Sequence, residues 1–383
     1  LLISVVMSAI SYTDYSWLQE LVRDGVFGPI EHPIEFHPLH LRLSRVLRES
    51  PVDLYPIFFS IGYDQESCYG RNTVKVHLVD GVIHYKLNSV QLGLIKDLLS
   101  QSTEGPLRTY WRILCSHLQF SLFFKSSCDG GLDQKPFFFD FGDSPKTDQS
   151  VLAYCTNKAN DFCLVDPFFI NSNGYAGLKK KLSFKSANLF DKKDKVFWRG
   201  SASGVKNNNI LSSQRFLLCH LANQSSFSYM LDFGLINTPS KYLDRVHQEF
   251  GFIPDWLTSQ RVDPDEFANY RYGIDVDGNS NSWGGFFTKM LSRSFLVKIK
   301  SPLDYRQWYY SRIDEKCFLK MAADLSDYDE VFTKAFELTM DEKQERVDML
   351  YEFGMSMDVI SEIRLNNQGL RQWLTLQPFT KPC

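Results

Sequence analysis

Val196-Phe197-Trp198-Arg199-Gly200-Ser201-Ala202-Ser203-Gly204 is an apolar run that stops at an arginine and opens into small residues. Arg215 follows on a helical pattern over Ser213–Ala222. A strand emptying into a small-residue loop and then a helix is the repeating unit of a doubly wound α/β sheet, where ligands bind outside the carboxyl ends of the strands. Small residues there let backbone N–H groups approach an anion, and a guanidinium adds a forked donor for phosphate oxygens. Tyr270-Arg271-Tyr272-Gly273-Ile274-Asp275-Val276-Asp277-Gly278-Asn279-Ser280-Asn281-Ser282-Trp283-Gly284-Gly285 repeats the pattern: a strand, a small polar loop and a helix from near Gly284.

The same alternation extends in both directions. Strand patterns lie at Phe120–Phe124, Pro136–Asp140, Phe162–Val165, Phe227–Leu231 and Phe295–Ile299. Helical patterns lie at Ser89–Ser100, Leu107–Leu118, Phe286–Leu291 and Asp327–Leu338, and a long one at Asp341–Ile363 closes the second domain. Thr73–Leu87 reads as a hairpin turning at Asp80-Gly81, because Val74, Val76 and Leu78 alternate. Short apolar runs among helices imply mostly parallel, buried sheets. Lys179-Lys180-Lys181 and Asp191-Lys192-Lys193-Asp194-Lys195 bracket a basic stretch that reads as a solvated connector. The expectation is therefore an α/β chain of two Rossmann-like domains, residues 1–185 and 186–383, with the last helix free to pack back on the first domain.

Composition excludes several classes. With 383 residues, 44% hydrophobic and 23% charged, the chain is neither disordered nor fibrous. Its 42 basic and 45 acidic residues argue against a nucleic-acid partner. None of the eight cysteines forms a C-x-x-C pair, so free, mostly buried thiols in a reducing compartment are expected rather than a zinc ribbon or disulfide scaffold. The apolar run Leu1–Ile10 falls short of the ~20 residues that span a bilayer. It has no basic segment or cleavage site of a secretory signal, and an upstream trim is expected because the chain opens on Leu1. A cytoplasmic location follows, with peripheral membrane contact through the basic connector.

The strand pattern at Tyr270–Val276 and the loop after it admit two metal readings. As a calcium loop it fails: Ser280 stands where the glycine belongs, and Phe286 stands at the twelfth position in place of glutamate. Asp275-Val276-Asp277 fits the Asp-x-Asp site of a metal-dependent GT-A transferase. So do Asp263-Pro264-Asp265 and Asp327-Tyr328-Asp329, and Asp275 also reads as a strand residue pointing into packing.

Phe197-Trp198-Arg199-Gly200-Ser201, Tyr272 through Ser282, Ser292 through Lys298, Trp308-Tyr309-Tyr310 and Asp324-Leu325-Ser326 occur in an order that resembles glycosyltransferase family 90. The resemblance covers about residues 135–350 of this chain. That family includes lipopolysaccharide glycosyltransferases, capsule-associated proteins and protein O-glucosyltransferases. The resemblance implies a GT-B fold with an interdomain cleft, inversion at the sugar carbon, and no metal or other cofactor. It implies Asp143, in Asp140-Phe141-Gly142-Asp143-Ser144-Pro145, as general base. It implies Arg199, with Gly200 and Ser201, on the donor diphosphate, where the residue pattern itself adds Arg215, and Asn279, Ser280, Asn281, Ser282 and Trp283 as the donor loop. Animal members end that loop in arginine where this chain has Gly284. Lys289 or Lys298 is then the substitute cation. Asn171 and Asn173 match the acceptor-contacting stretch loosely, and Cys317 stands where the family has a histidine.

The expected activity is transfer of a hexose or pentose from a UDP-sugar to a glycan, glycolipid or protein acceptor, such as lipopolysaccharide or another surface polysaccharide. The alternatives are an inactive carbohydrate-binding member of the fold and the GT-A enzyme using Asp275 and Asp277.

Overall fold

The structure, a computed structural model, describes residues 58–63, 72–79, 82–87, 112, 115–116, 119–120, 122–124, 136–143, 145, 150–205 and 209–376. The expected helix at Ser89–Ser100, most of that at Leu107–Leu118 and the Asp80-Gly81 turn lie outside these residues. The chain forms two compact units, one running to Asn173 and resuming at Asp358, the other spanning Gly174–Met357. Both are built on sheets with helices, the α/β class expected from the sequence.

Among the described residues the first unit holds six strands: β1 (Phe58–Tyr63), β2 (Thr73–Val79), β3 (Val82–Leu87), β4 (Phe137–Asp140), β5 (Leu152–Ala153) and β6 (Phe162–Cys163), in the order β1-β3-β2-β4-β5-β6. β2 runs antiparallel to both β3 and β4, while β4, β5 and β6 are parallel. This sheet is thus mixed, where a mostly parallel one was expected. The β2–β3 alternation works as read: Val74, Val76, Ile83 and Tyr85 are buried, and Lys75 faces Lys86 across the pair.

Phe120 to Phe124 differs from expectation. Residues 119–120 and 122–124 are helical. Phe120 packs on Phe137 and Phe139 of β4, with ring centroids 5.3 and 5.6 Å away. Cys115, Ser116, Gln119, Phe120, Phe123 and Phe124 are all buried, a helical spacing. A five-residue apolar run viewed alone does not distinguish strand from buried helix. After β6, Asp166 caps α1 (Pro167–Asn171) by accepting from Phe168 N at 2.6 Å and Phe169 N at 3.3 Å.

The second unit starts with α2 (Ala176–Ser183), within the stretch read as a connector. Two of its lysines are engaged: Lys179 donates to the carbonyls of Met355 and Met357, and Lys181 pairs with Asp265 at 2.8 Å. Then come β7 (Lys193–Ser201), α3 (Gln214–Gln224), β8 (Leu231–Ile236), α4 (Ser240–Phe250), β9 (Tyr270–Asp275), α5 (Gly284–Leu291), β10 (Phe295–Ile299), β11 (Phe318–Met321), α6 (Tyr328–Glu337) and α7 (Met340–Ser356). The strand expected at Phe227–Leu231 begins only at Leu231, after a short turn over Ser228–Met230. The sheet order is β11-β10-β9-β7-β8, and every pairing is parallel. From β7 the chain moves one way to β8 and then crosses to build β9, β10 and β11 on the other side. The reversal between β7 and β9 is a topological switch point, where the flanking loops part and leave a crevice. Trp198, Ile274 and Val297 belong to the buried core beneath it.

The long helix expected over Asp341–Ile363 is two helices. α7 opens on a capping box between Thr339 and Glu342 and ends at Ser356. Asp358 accepts from Ser361 N at 2.9 Å and starts α8 (Val359–Leu376). α8 belongs to the first unit. Gln119 donates to Asn366 and, at 3.3 Å, to Asn367, and Trp373 Nε1 donates to the carbonyl of Asn160 at 2.7 Å.

Candidate functional site

β7 and β9 end side by side at the switch point, and one side chain joins their ends. Arg215, on the first turn of α3, donates from Nε to Asp277 O at 2.9 Å. Its Nη1 donates to Ser201 O, Ser201 Oγ and Ser203 Oγ at 2.9–3.0 Å. The guanidinium fits because Gly278 has no side chain: a Cβ there would meet Ser203 Oγ at 2.8 Å and Arg215 Nη2 at 3.0 Å.

Arg199 sits differently. Its side chain turns back along the sheet to the neighbouring strand. It donates to Asp232 O at 2.8 Å and pairs with the Asp232 carboxylate at 2.5 Å, over the ring of Phe197. Arg215, rather than Arg199, is the guanidinium set among the strand ends. Gly200 packs beside Trp198, and Ser201 serves Arg215.

Asp275, the last residue of β9, is fully buried, as expected for a strand residue pointing into packing. Lys289 from α5 donates to Oδ1 at 2.9 Å and Lys298 from β10 to Oδ2 at 2.7 Å. Burial alone would raise this carboxyl, yet Lys298 and Lys289 together hold it well below the usual range. Lys298 also lies over the rings of Phe286 and Tyr310, at 4.3 and 4.9 Å. Two residues on, Asp277 is pushed up to about 6 by burial, while Lys298, a hydrogen bond from Ser301 and Arg215 pull the other way. The cluster therefore holds three cations against two carboxylates. Both oxygens of Asp275 already receive ammonium groups, so the Asp275/Asp277 pair is a poor cation site and the GT-A alternative loses its ligands. Both lysines named as substitutes for a missing arginine are committed to Asp275.

The loop Asn279–Trp283, expected to meet the donor, leaves several polar atoms unsatisfied. Asn279 accepts from Gly204 N at 3.1 Å, joining the two small-residue loops. Asn281 Oδ1 accepts from Trp283 N at 2.8 Å. Ser280 Oγ, Asn281 Nδ2 and Ser282 Oγ are buried with no protein partner among the described residues. A donor left unmade in this way costs about 1–3 kcal/mol. Trp283 has φ 49° and ψ −131°, a backbone that costs a non-glycine residue about 1–3 kcal/mol. Such strain gathers where a ligand is held. The three polar atoms lead directly into the amino end of α5, where the helix dipole favours negative charge.

In the first unit, Asp143 follows β4 as expected and its side chain is about half exposed. Arg112, which no sequence pattern marked, pairs with it at 2.9 Å and donates to Phe141 O at 3.2 Å. The neighbouring Asp140 is buried in the turn, accepting from Thr73 Oγ1 at 3.1 Å and Gly142 N at 2.9 Å. It is a structural carboxylate. Asn171 ends α1 and Asn173 has φ 51°, both before the passage into the second unit. Cys115, Cys155, Cys163, Cys219 and Cys317 are buried. No described helix is long and apolar enough to cross a membrane.

No protein-family model and no curated protein matches the chain. Among solved structures it is similar to an α,α-trehalose-phosphate synthase (UDP-forming) from Burkholderia vietnamiensis, at 11% identity over 88% of this chain and 97% of that chain, with a TM-score of 0.36. It is also similar to an E. coli structure described as trehalose-6-phosphate bound with UDP-2-fluoro glucose, at 8% identity over 92% and 98%, TM-score 0.36. Against a chain of the GtfA/B complex it shows 15% identity over 50% of this chain and 39% of that chain, TM-score 0.32. TM-scores this low establish neither a shared fold nor a shared activity.

Proposed function

We propose that this protein is a glycosyltransferase of GT-B type, moving a hexose or pentose from a nucleotide sugar, UDP-linked, to a glycan acceptor with inversion. One observation carries the reading. At the switch point of a doubly wound sheet, three buried side-chain donors lack partners beside a helix amino end and a cluster with excess positive charge. A donor diphosphate supplies the acceptor oxygens and negative charge that such a place lacks. The ordered residue pattern resembling glycosyltransferase family 90 supports the same choice.

The roles follow from chemistry. The loop Asn279–Trp283, Ser201 and Arg215 hold the nucleotide side, with Arg199 behind them. The leaving diphosphate is neutralised by side-chain cations and backbone donors, so no metal is assigned a step. Asp143, poised by Arg112 at the carboxyl end of β4, takes the acceptor hydroxyl proton as its oxygen attacks the anomeric carbon. Asn171 and Asn173 belong to the acceptor side. The acceptor is a surface glycan such as lipopolysaccharide, and the enzyme works in the cytoplasm.

Calorimetry with UDP, followed by an assay for nucleotide release from UDP-sugars in excess EDTA, tests the reading. Binding with slow donor hydrolysis in EDTA is the expected result. Binding without any release marks an inactive carbohydrate-binding member, and release that requires manganese or magnesium overturns the metal-free assignment.

A further inference from the structure

The amino end of α5 is approached by one side chain from outside its own loop. Tyr175 precedes α2 in a left-handed conformation, φ 57° and ψ 33°. Its ring rests against Phe287 of α5, with centroids 4.7 Å apart. The phenol oxygen then stands over Gly284, the first residue of α5, so that a Cβ there would lie 2.5 Å from it. Only glycine leaves that space clear.

Two further polar atoms belong to the loop that leads into the same helix end. The Asn281 carboxamide is pinned over the start of the helix because its Oδ1 accepts from Trp283 N at 2.8 Å. Its Nδ2 is buried without a partner among the described residues, and so is Ser280 Oγ. These residues are only 2% and 1% exposed. Buried donors unanswered by the polypeptide mark a position that a ligand completes. Tyr175, Trp283 and Gly284 are each partly exposed, so solvent reaches the place.

We propose that the Tyr175 hydroxyl is a ligand-binding group at the amino end of α5, donating to a phosphate oxygen alongside Asn281 and Ser280. The assignment rests on the nucleotide-sugar reading and extends it to a residue outside both small-residue loops. Gly284 is the spacer that lets the phenol reach the ligand. An oxygen of a bound phosphate accepts one proton-bearing donor from each of these side chains, and no bond is made or broken.

The test is UDP calorimetry and thermal unfolding on four full-length proteins: the wild type, Tyr175→Phe, Gly284→Ala and the double variant. Tyr175→Phe is expected to weaken UDP binding by about tenfold while leaving Tm in place. Gly284→Ala, whose methyl meets the phenol oxygen, is expected to lose affinity and lower Tm. Adding Tyr175→Phe to it restores Tm and not affinity. Should Tyr175→Phe fold poorly, Gly284→Ala carries the test, since it displaces the hydroxyl without removing it. UDP binding of wild-type strength in these variants overturns the assignment of Tyr175 alone. A wild type that binds neither UDP, ADP nor GDP overturns the nucleotide reading and this assignment with it.

Discussion

Asp275 has a lysine on each carboxylate oxygen: Lys289 at 2.9 Å and Lys298 at 2.7 Å. The three side chains come from β9, α5 and β10, so one buried carboxylate fixes the helix after the Asn279–Trp283 loop to two strands. Asp275→Asn would leave both ammonium groups buried without their counterion. Breaking a buried pair costs about 3–5 kcal/mol, and urea unfolding should show a loss of that order. A loss under about 1 kcal/mol, the level of an exposed pair, would mean that water reaches the lysines.

Asp277 carries a pH dependence of opposite sign to the usual carboxylate. Burial raises it from 3.8 to about 6, so folding favours the neutral form. Its contribution is present below pH ~4 and lost as pH rises through about 6. Asp277→Asn should therefore gain stability relative to the wild type between those values, by up to about 3 kcal/mol. Stability curves against pH that run parallel for the two proteins would refute this.

Arg215 and Arg199 should separate in mutagenesis. Arg215→Ala removes every bond joining Ser201 and Ser203 to the end of β9 through this side chain. UDP affinity is expected to fall at least about tenfold, as loss of charge-assisted bonds costs roughly 1.5–3 kcal/mol. Arg199→Ala is expected to weaken UDP binding by only several-fold and to lower Tm, since it strands Asp232. Equal affinities for the two variants in calorimetry would contradict this ranking.

Asp143→Asn keeps the shape and the hydrogen bonding but removes the carboxylate proposed as base. Transfer to an acceptor is expected to fall by about 10²–10⁴ in kcat, with UDP affinity unchanged. A near-normal transfer rate would remove Asp143 from the mechanism. Arg112→Gln reports on the same carboxylate, because it frees Asp143 from its ion pair while leaving the base in place.

Part of this architecture is legible in the sequence. Val196–Trp198 and Tyr270–Val276 read as strands because they are largely apolar and run into small polar residues. That reading places the loops that meet at the switch point. Phe120–Phe124 misleads because a short run of phenylalanines carries no period, and its helical neighbours Cys115, Ser116 and Gln119 look polar. The break at Met357 is marked only by Asp358 as a cap, a weak signal inside a long helical pattern. β11 is four residues long and α4 follows an unremarkable proline, so neither stands out. Partnerships are hidden altogether: nothing in the spacing of Asp275, Lys289 and Lys298 announces that they meet, and nothing marks Arg112 or Tyr175. A motif names residue types, whereas the direction in which Arg199 turns depends on Asp232, on a different strand.

α8 has a consequence for the order in which the molecule is made. The first unit is discontinuous, and Gln119 and Asn160 find their partners on α8 only after the last helix has left the ribosome. The second unit is one uninterrupted stretch and is complete at Met357. Domains ordinarily mature in the order of their synthesis. Here the later segment closes on itself while the earlier one waits for α8. A nascent chain halted at Met357 therefore contains the whole of the unit carrying Arg215 and lacks a wall of the unit carrying Asp143.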